Sequence, residues 1–244
     1  MLAFLANPDR FMAFSRRAGP AFGILAALLI AAGLWYSFAA PEDYQQGDTV
    51  RIMFIHVPAS YMAMFSYICL GVASFLSLVY RHALADAAAR ACAPLGAAFT
   101  ALALVTGALW GKPMWGTWWV WDARLTSVLV LFLFWLGYMA LRAAIDDETK
   151  AGRAAAILAL VGLVNLPVIH FSVEWWNSLH QGATVFAAKA ENRLPPEYLI
   201  PMALMALGYT SAFGSLWLVR IRAEVWRRRA AVLALRRRKA DPDV

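Results

Sequence analysis

Tryptophans and histidines are the residues of this sequence whose types and spacing could do chemistry. Residues 115–122 read WGTWWVWD, with four tryptophans and one aspartate in eight positions. Each indole can bury roughly 150–250 Å², so a cluster this dense can form a floor for a flat apolar ligand. Imidazole nitrogens are common axial ligands of haem iron, and the chain has four histidines. Together these residues indicate a haem-binding site.

Three histidines lie in aromatic surroundings and are candidate ligands. His56 stands in IMFIHVPAS, where Pro58 suits the first turn of a helix. His180 stands in EWWNSLHQG, and a helix there would set Trp176 directly beside the imidazole. His170, in LPVIHFSVEWW, is a rival ligand whose more ordinary role is a hydrogen bond at a helix end. The residues alone leave the choice between His170 and His180 open.

The spacing inside WGTWWVWD predicts how the cluster is arranged. If the segment is helical, the positions i, i+3, i+4 and i+7 share one face, and Trp121 points elsewhere. Those four positions are Trp115, Trp118, Trp119 and Asp122. The three indoles would then form a continuous apolar floor.

Charged side chains near the cluster have two compatible roles each. Asp122 is expected to cap the N-terminus of the helix that contains VLVLFLF, and it can also position a ligand. Arg124 and Arg51 are candidates for pairing with haem propionates, and either can anchor a helix at the lipid headgroups.

The composition predicts an all-α integral membrane protein. Hydrophobic residues make up 62% of the chain and charged residues 15%, whereas about 25% charged is ordinary for soluble domains. The mean hydropathy is +0.59. Six stretches approach the roughly 20 residues that cross a bilayer as a helix, and the third is the shortest of them. They are residues 20–39, 58–80, 94–110, 124–141, 154–171 and 199–219.

Lysines and arginines predict the orientation, because they favour the cytoplasmic side of short loops. With six spans, seventeen of them fall on the side of the two termini and five on the other. This places both termini in the cytoplasm of a bacterium and the tryptophan segment at the periplasmic face of the inner membrane. The outer connections, at 40–52, 111–123 and 172–197, are the longer ones.

The net charge of +7 follows mainly from this topology and does not predict nucleic-acid binding. We expect residues 1–223 to form the six-helix domain and residues 224–244 a basic cytoplasmic tail that anionic membrane lipids attract.

The tryptophans are too one-sided to be an ordinary interfacial belt, which would occupy both membrane faces. Eight fall toward the outer side and two toward the cytoplasm. The eight are Trp35, Trp110, Trp115, Trp118, Trp119, Trp121, Trp175 and Trp176. This asymmetry favours a ligand platform at the outer face.

Two motifs of other haem or transport proteins are missing from the sequence. Without a C-x-x-C-H run, the chain is not expected to attach haem covalently to itself. GALWGKP at 107–113 has the wrong glycine spacing for a phosphate loop. If transport uses ATP, another subunit hydrolyses it. Gly107 and Gly111 instead have the spacing of a small-residue contact between helices.

WGTWWVWD, followed by ARLTS, resembles the WWD signature of the haem-handling membrane proteins of cytochrome c maturation. The length of 244 residues and the six spans are similar to those of the haem exporter protein C (CcmC) family, whereas lyase-type relatives are much larger. FIHVPAS and SVEWWNSLHQG also resemble segments of that family. The resemblance therefore covers about residues 51–182.

The resemblance implies a haem chaperone step rather than an enzyme. In the family, two histidines flanking the WWD segment bind the iron, and those positions match His56 and His180, while His170 is not part of the pattern. Haem b would be presented to the periplasmic chaperone CcmE, with CcmA, CcmB and CcmD as further partners, of which CcmA carries the ATPase. The predicted cofactor-binding residues are His56, His180, Trp115, Trp118, Trp119, Trp121, Asp122, Trp175, Trp176, Arg51 and Arg124, with the first two as axial iron ligands.

Two other function classes are less well supported. A membrane b-type cytochrome or quinone oxidoreductase subunit usually holds haem between histidines within the spans, and no predicted span has a histidine at its centre. A small-molecule permease needs polar groups at mid-bilayer. The spans offer little beyond Asn165, Thr100, Thr106 and Ser74.

Overall fold

A computed structural model describes residues 7–180 and 194–240, and these ranges are helical with short connections. Six of the described segments are long and apolar enough to cross a membrane, as the sequence predicts. The fifth of them, Glu148–Trp175, contains two consecutive helices. The elements are α1 (Pro8–Ala39), a 3₁₀ helix (Asp48–Ile52), α2 (Met53–Tyr80), α3 (Ala83–Trp115), α4 (Ala123–Ala144), α5 (Glu148–Gly162), α6 (Asn165–Trp175) and α7 (Pro196–Ala240).

The third membrane-crossing helix is longer than its apolar stretch. α3 has 33 residues, and α4, with 22, is the shortest described span. The prediction that the third span is the shortest is therefore wrong. Asp86 and Arg90 interrupt the hydropathy of residues 83–93, but the many alanines there are strong helix formers. His82 caps this start, since its Nδ1 accepts the N–H of Ala85 at 3.3 Å.

The connections at the two ends of the bundle differ in length. Arg81 and His82 alone join α2 to α3, and residues 145–147 join α4 to α5. At the opposite end, residues 40–47 follow α1 and residues 116–122 follow α3. The prediction that the connections on the side of WGTWWVWD are the longer ones is confirmed for these four connections.

The core lies where α2, α3, α4 and α5 meet. Trp135 of α4 is fully buried there, and its Nε1 donates to Thr100 Oγ1 at 3.0 Å. Its ring packs edge-on against Tyr67 of α2, 4.8 Å away between centroids. Gly96 of α3 lies directly against the indole, so that no side chain competes for this space. α1 packs along α7 beside this core.

Ion pairs join the helices at one end of the bundle, which we call the ion-pair end. Arg142 of α4 donates to Asp86 of α3 at 2.8 Å, and Arg90 of α3 donates to Glu148 of α5 at 2.9 Å. The residues of the ion-pair end are Asp9, Asp86, Arg90, Arg142, Glu148, Glu224, Arg227, Arg228 and Arg229. They come from five helices, so the network fixes the helices relative to one another.

α7 continues without a break through residue 223, after which the sequence predicts a separate tail. The first arginines of that stretch have carboxylate partners in the bundle. Arg227 pairs with Glu148, Arg228 with Asp86, and Arg229 with Asp9. The division into a domain and a tail stays a prediction.

Candidate functional site

His56 lies in the first turn of α2, at the end of the bundle opposite the ion pairs. The preceding 3₁₀ helix, Asp48–Ile52, carries the chain directly into α2, which begins at Met53. Pro58 therefore falls in the second turn, and its predicted place in the first turn is wrong. The helix starts earlier because the 3₁₀ turn upstream already provides a helical entry.

Hydrogen bonds to acceptors on α3 fix the tautomer of His56. Its Nδ1 lies 3.0 Å from the carbonyl oxygen of Ala103 and 3.1 Å from Thr106 Oγ1. A carbonyl oxygen can only accept, so Nδ1 carries the proton and donates it. The lone pair is consequently on Nε2, the nitrogen through which a neutral imidazole can bind a metal.

The ring of His56 packs into a recess on α3. An added methyl at Gly107 would lie 2.9 Å from His56 Cε1, so only glycine leaves room for the imidazole. Trp110 packs edge-on against the same ring at 5.7 Å and donates its Nε1 hydrogen to Gln46 Oε1 at 2.9 Å. Gly111 faces Trp115 of its own helix. The predicted contact between helices is therefore confirmed for Gly107, which faces α2, and is wrong for Gly111.

The WGTWWVWD segment is helical only at its first residue. α3 ends at Trp115, and Gly116 follows in the left-handed conformation with φ of 75°, where glycine is favoured. Its N–H donates to Lys112 O at 3.0 Å and closes the helix. The predicted common face of Trp115, Trp118, Trp119 and Asp122 is therefore wrong, because the chain leaves the helix before it can form.

The indoles after Trp115 are arranged along an open segment. Trp119 and Trp121 pack perpendicular to each other at 5.5 Å, whereas the helical spacing predicts that Trp121 points elsewhere. Trp118 is 56% exposed and Trp121 75% exposed. The Nε1 of Trp119 is buried without a hydrogen-bond partner among the described residues. Large apolar rings are thus presented at the surface of this end.

Asp122 connects the start of α4 to His180. Its Oδ1 accepts the Leu125 N–H at 2.7 Å, so the predicted N-cap is confirmed. Its Oδ2 accepts the Ser178 hydroxyl at 2.6 Å and the Nδ1 hydrogen of His180 at 3.0 Å. A carboxylate that holds one imidazole nitrogen leaves Nε2 free and orients the ring, as in many metal sites.

The electrostatics of this pair favour a neutral imidazole beside an ionised carboxylate. Burial lowers the pKa of His180, and it outweighs the opposing effect of Asp122. Burial alone would raise the pKa of Asp122, but the hydrogen bonds from Ser178, Leu125 and His180 lower it overall. Neutral imidazole is the form that donates a lone pair to a metal.

Trp175 and Trp176 form a second aromatic group, apart from the ring of His180. α6 ends at Trp175, and Trp176 is already extended, so the predicted helical contact between Trp176 and His180 is wrong. Trp115 takes that place, edge-on to His180 at 4.8 Å. Trp175 stacks on Phe171 at 5.3 Å and meets Trp176 at 5.8 Å. Gly182, two residues after His180 and a plausible helix stop by its residue type, lies outside the described residues.

Arg124, in the first turn of α4, donates hydrogen bonds to α6. Its Nε donates to Ser172 Oγ at 3.1 Å, and its Nη2 donates to the backbone oxygen of His170 at 3.3 Å. The charge of Arg124 contributes to the electrostatics of both His56 and His180. His56 packs on Trp110 and His180 on Trp115, so both histidines lie at the same end of α3.

The side chains of His170 and Arg51, two further predicted residues, have other contacts. The imidazole of His170 is exposed and packs against its neighbour Phe171 at 4.7 Å. Arg51 forms an ion pair with Asp48 at 2.8 Å in the 3₁₀ helix. Its Nε is buried without a hydrogen-bond partner among the described residues.

Comparisons with known proteins agree with one another. The family model described as Heme exporter protein C matches residues 1–236. The Heme exporter protein C of Bradyrhizobium diazoefficiens is 54% identical over 231 residues, covering 95% of this chain and 88% of the relative. That of Escherichia coli (strain K12) is 47% identical, over 89% and 88% of the two chains. That of Paracoccus denitrificans is 45% identical, over 96% and 98%.

The chain belongs to the Heme exporter protein C family. The name of the family describes transport rather than an enzyme activity. The six described spans make this member of the Heme exporter protein C family a multi-pass membrane protein.

The site also contains residues that the sequence did not lead us to predict as site residues. Ala103, Thr106, Gly107 and Trp110 all face His56. Their spacing of i, i+3, i+4 and i+7 marks one face of a helix. That stripe of small and polar residues ending in a tryptophan was the available signal. No sequence signal marks Ser178, since its contact with Asp122 joins distant parts of the chain.

Proposed function

We propose that this protein binds haem b at the end of the bundle that carries WGTWWVWD, which we call the tryptophan end. The iron would lie between Nε2 of His56 and Nε2 of His180. One observation carries the proposal. Both imidazoles are held through Nδ1 by groups that only accept hydrogen bonds, which leaves both Nε2 lone pairs for a metal. Two nitrogen ligands from neutral histidines suit haem iron. His170 lacks this support, since its ring is exposed.

Aromatic and cationic groups around the histidines suit the rest of the haem. Trp115 lies against His180, where it can contact the porphyrin edge. Arg124 is near both histidines and is the stronger candidate for a propionate, while Arg51 is already paired with Asp48. The exposed indoles complete an apolar surface for a flat ligand. They are Trp118, Trp121, Trp175 and Trp176, with Trp119 half-buried beside them.

In this proposal the protein is a haem chaperone of cytochrome c maturation. It presents haem to CcmE at the periplasmic face of the inner membrane and works with CcmA, CcmB and CcmD, with ATP hydrolysis in CcmA. Both termini then lie in the cytoplasm. The names of the relatives support haem export, and the open, aromatic surface suits a ligand that must leave again.

The ligand assignment is tested by the spectra of haem-loaded protein purified in detergent. We expect His56→Ala and His180→Ala each to lose one axial ligand, seen in the visible absorption and electron paramagnetic resonance spectra. His170→Ala is the matched control and should keep the wild-type spectrum. Unchanged axial signals in both His56→Ala and His180→Ala would overturn the assignment.

Delivery is tested separately by adding purified CcmE to the haem-loaded protein. We expect haem to move to CcmE, measured by the haem content of each protein after separation. A b-type cytochrome would instead keep its haem and cycle between oxidation states. Retention of all haem with reversible reduction would therefore favour that alternative and contradict the delivery role.

A further inference from the structure

A cavity of about 220 Å³ opens at the ion-pair end, between α3, α4 and α7. Arg90, Arg142 and Arg220 line it from those three helices. Pro94 and Met139 give it an apolar wall. The cavity thus combines three guanidinium groups with hydrocarbon, far along the bundle from the two histidines.

The arginines around this cavity outnumber the carboxylates. Five arginines face three carboxylates in this cluster, which leaves two positive charges in excess. The arginines are Arg90, Arg142, Arg220, Arg227 and Arg228, and the carboxylates are Asp86, Glu148 and Glu224. Such an excess at the edge of a low-dielectric bundle attracts an anion.

Arg220 and Arg142 both have donors to spare. Arg220 is exposed, and its Nε donates to the Ala91 carbonyl oxygen at 3.2 Å. Among the described residues no carboxylate pairs with it. Arg142 is the more telling case, since its side chain is only 4% exposed. Its Nε is buried without a hydrogen-bond partner in the described part of the chain, and a buried charged donor normally has an acceptor.

We propose that this cavity binds the phosphate group of an anionic phospholipid. A phosphate offers several oxygen acceptors to guanidinium groups, which bind it in a forked geometry. The apolar wall of Pro94 and Met139 suits the glycerol and the first acyl carbons, which a soluble phosphate lacks. The cavity lies at the ends of membrane-crossing helices, where headgroups are found, and basic pockets of this kind bind anionic lipids.

The site is tested with the full chain in neutral detergent, without haem. Phosphatidylglycerol and phosphatidylcholine are titrated, and binding is measured by native mass spectrometry. Both lipids carry the same phosphate diester, but the excess of guanidinium groups repels the choline cation of phosphatidylcholine. We therefore expect phosphatidylglycerol to bind about tenfold more tightly. Arg220→Gln should remove about that factor without leaving a carboxylate unpaired. Ala143→Phe should block the cavity by bulk, since Ala143 lines it and the charges stay.

The matched control is Arg153→Gln, because Arg153 is exposed on α5 and is not among the residues that line the cavity. It should bind phosphatidylglycerol as the wild type does. Thermal unfolding without lipid checks that each variant is folded. Equal binding of both lipids by the wild type would overturn the proposal, as would unchanged phosphatidylglycerol binding in Arg220→Gln and Ala143→Phe.

A third titration, with inorganic phosphate alone, distinguishes the source of the phosphate group. Displacement of phosphatidylglycerol only at a large excess of inorganic phosphate supports the lipid. Displacement at equal concentrations would overturn the lipid as the source and assign the site to soluble phosphate.

Discussion

The two ends of the bundle differ in how their polar side chains are paired. At the ion-pair end, most carboxylates and guanidinium groups pair with one another across five helices, and even the exposed Arg229 has a partner in Asp9. At the tryptophan end, hydrogen bonds to Nδ1 hold the rings of His56 and His180 in place. Nε2 of His56 and of His180 stay available, and large indoles are exposed. The ion pairs of the first end join the helices, whereas the second end leaves metal-binding nitrogens without protein partners among the described residues and large indoles exposed.

The largest effect on stability is expected from breaking the buried ion pair at the first end. Arg142→Met should lower the free energy of unfolding by about 3 kcal/mol, because Asp86 loses a partner in a largely buried place. The measurement is thermal or chemical unfolding in detergent, with Arg153→Met as the exposed control. Haem spectra of the folded variant should match the wild type. Loss of haem ligation without loss of stability would contradict the separation of roles.

The second prediction concerns the carboxylate that serves both the helix and the site. Asp122→Asn should weaken haem binding by about 10–100-fold, the usual effect of removing such a support. Asparagine caps helices as well as aspartate, so the unfolding midpoint should hardly change. Haem titration and unfolding of the same preparation measure both quantities.

Asp122→Ala is the companion variant. It should add a loss of about 1 kcal/mol in stability through the missing cap. Equal haem affinity in wild type and Asp122→Asn would show that the carboxylate is only a cap.

A smaller effect is expected from filling the recess of His56. In Gly107→Ala the added methyl would lie 2.9 Å from the imidazole, so the ring must shift. We expect an altered haem spectrum and a loss of about 1 kcal/mol from the clash. Gly19→Ala is the control, since its nearest side-chain atom would be 3.8 Å away. Both variants gain helix propensity equally, so a difference between them reports the clash. Identical spectra would mean that the ring position is not critical.

The smallest effect is expected at the exposed edge of the ion-pair end. Arg229→Gln breaks a pair whose side chains are 38% and 80% exposed, so the free energy of unfolding should change by at most about 0.5 kcal/mol. The same unfolding experiment measures it. A change as large as that of Arg142→Met would show that burial does not determine how much each ion pair contributes to the free energy of unfolding.

Sequence patterns predict much of this architecture because they report transfer into the membrane and local capping. The six spans follow from hydropathy, and the N-cap at Asp122 follows from the residue type before an apolar run. The length of α3 does not follow, because a hydropathy window measures the hydrocarbon crossing and not the helix that extends beyond it.

The WGTWWVWD segment shows where periodicity fails. Its spacing fits a helix, but Gly116 ends α3 one residue in, and the chain then runs to Asp122 to start α4. The partner of His180 was also mispredicted, since Trp115 meets it through a tertiary contact between residues 65 positions apart in sequence. Local rules predict which residues are available, whereas the contacts between segments decide which of them meet.

The two imidazoles differ in how they are mounted. His56 belongs to a helix of 28 residues, whose backbone would have to move with it. His180 lies beyond the end of α6 on non-helical backbone, joined to Asp122 directly and through Ser178. Moving the His180 backbone away therefore means breaking its hydrogen bonds to Asp122 and Ser178, whereas moving the His56 backbone away means displacing a membrane helix. In the proposed haem site, we therefore expect His180 to release the iron before His56 does.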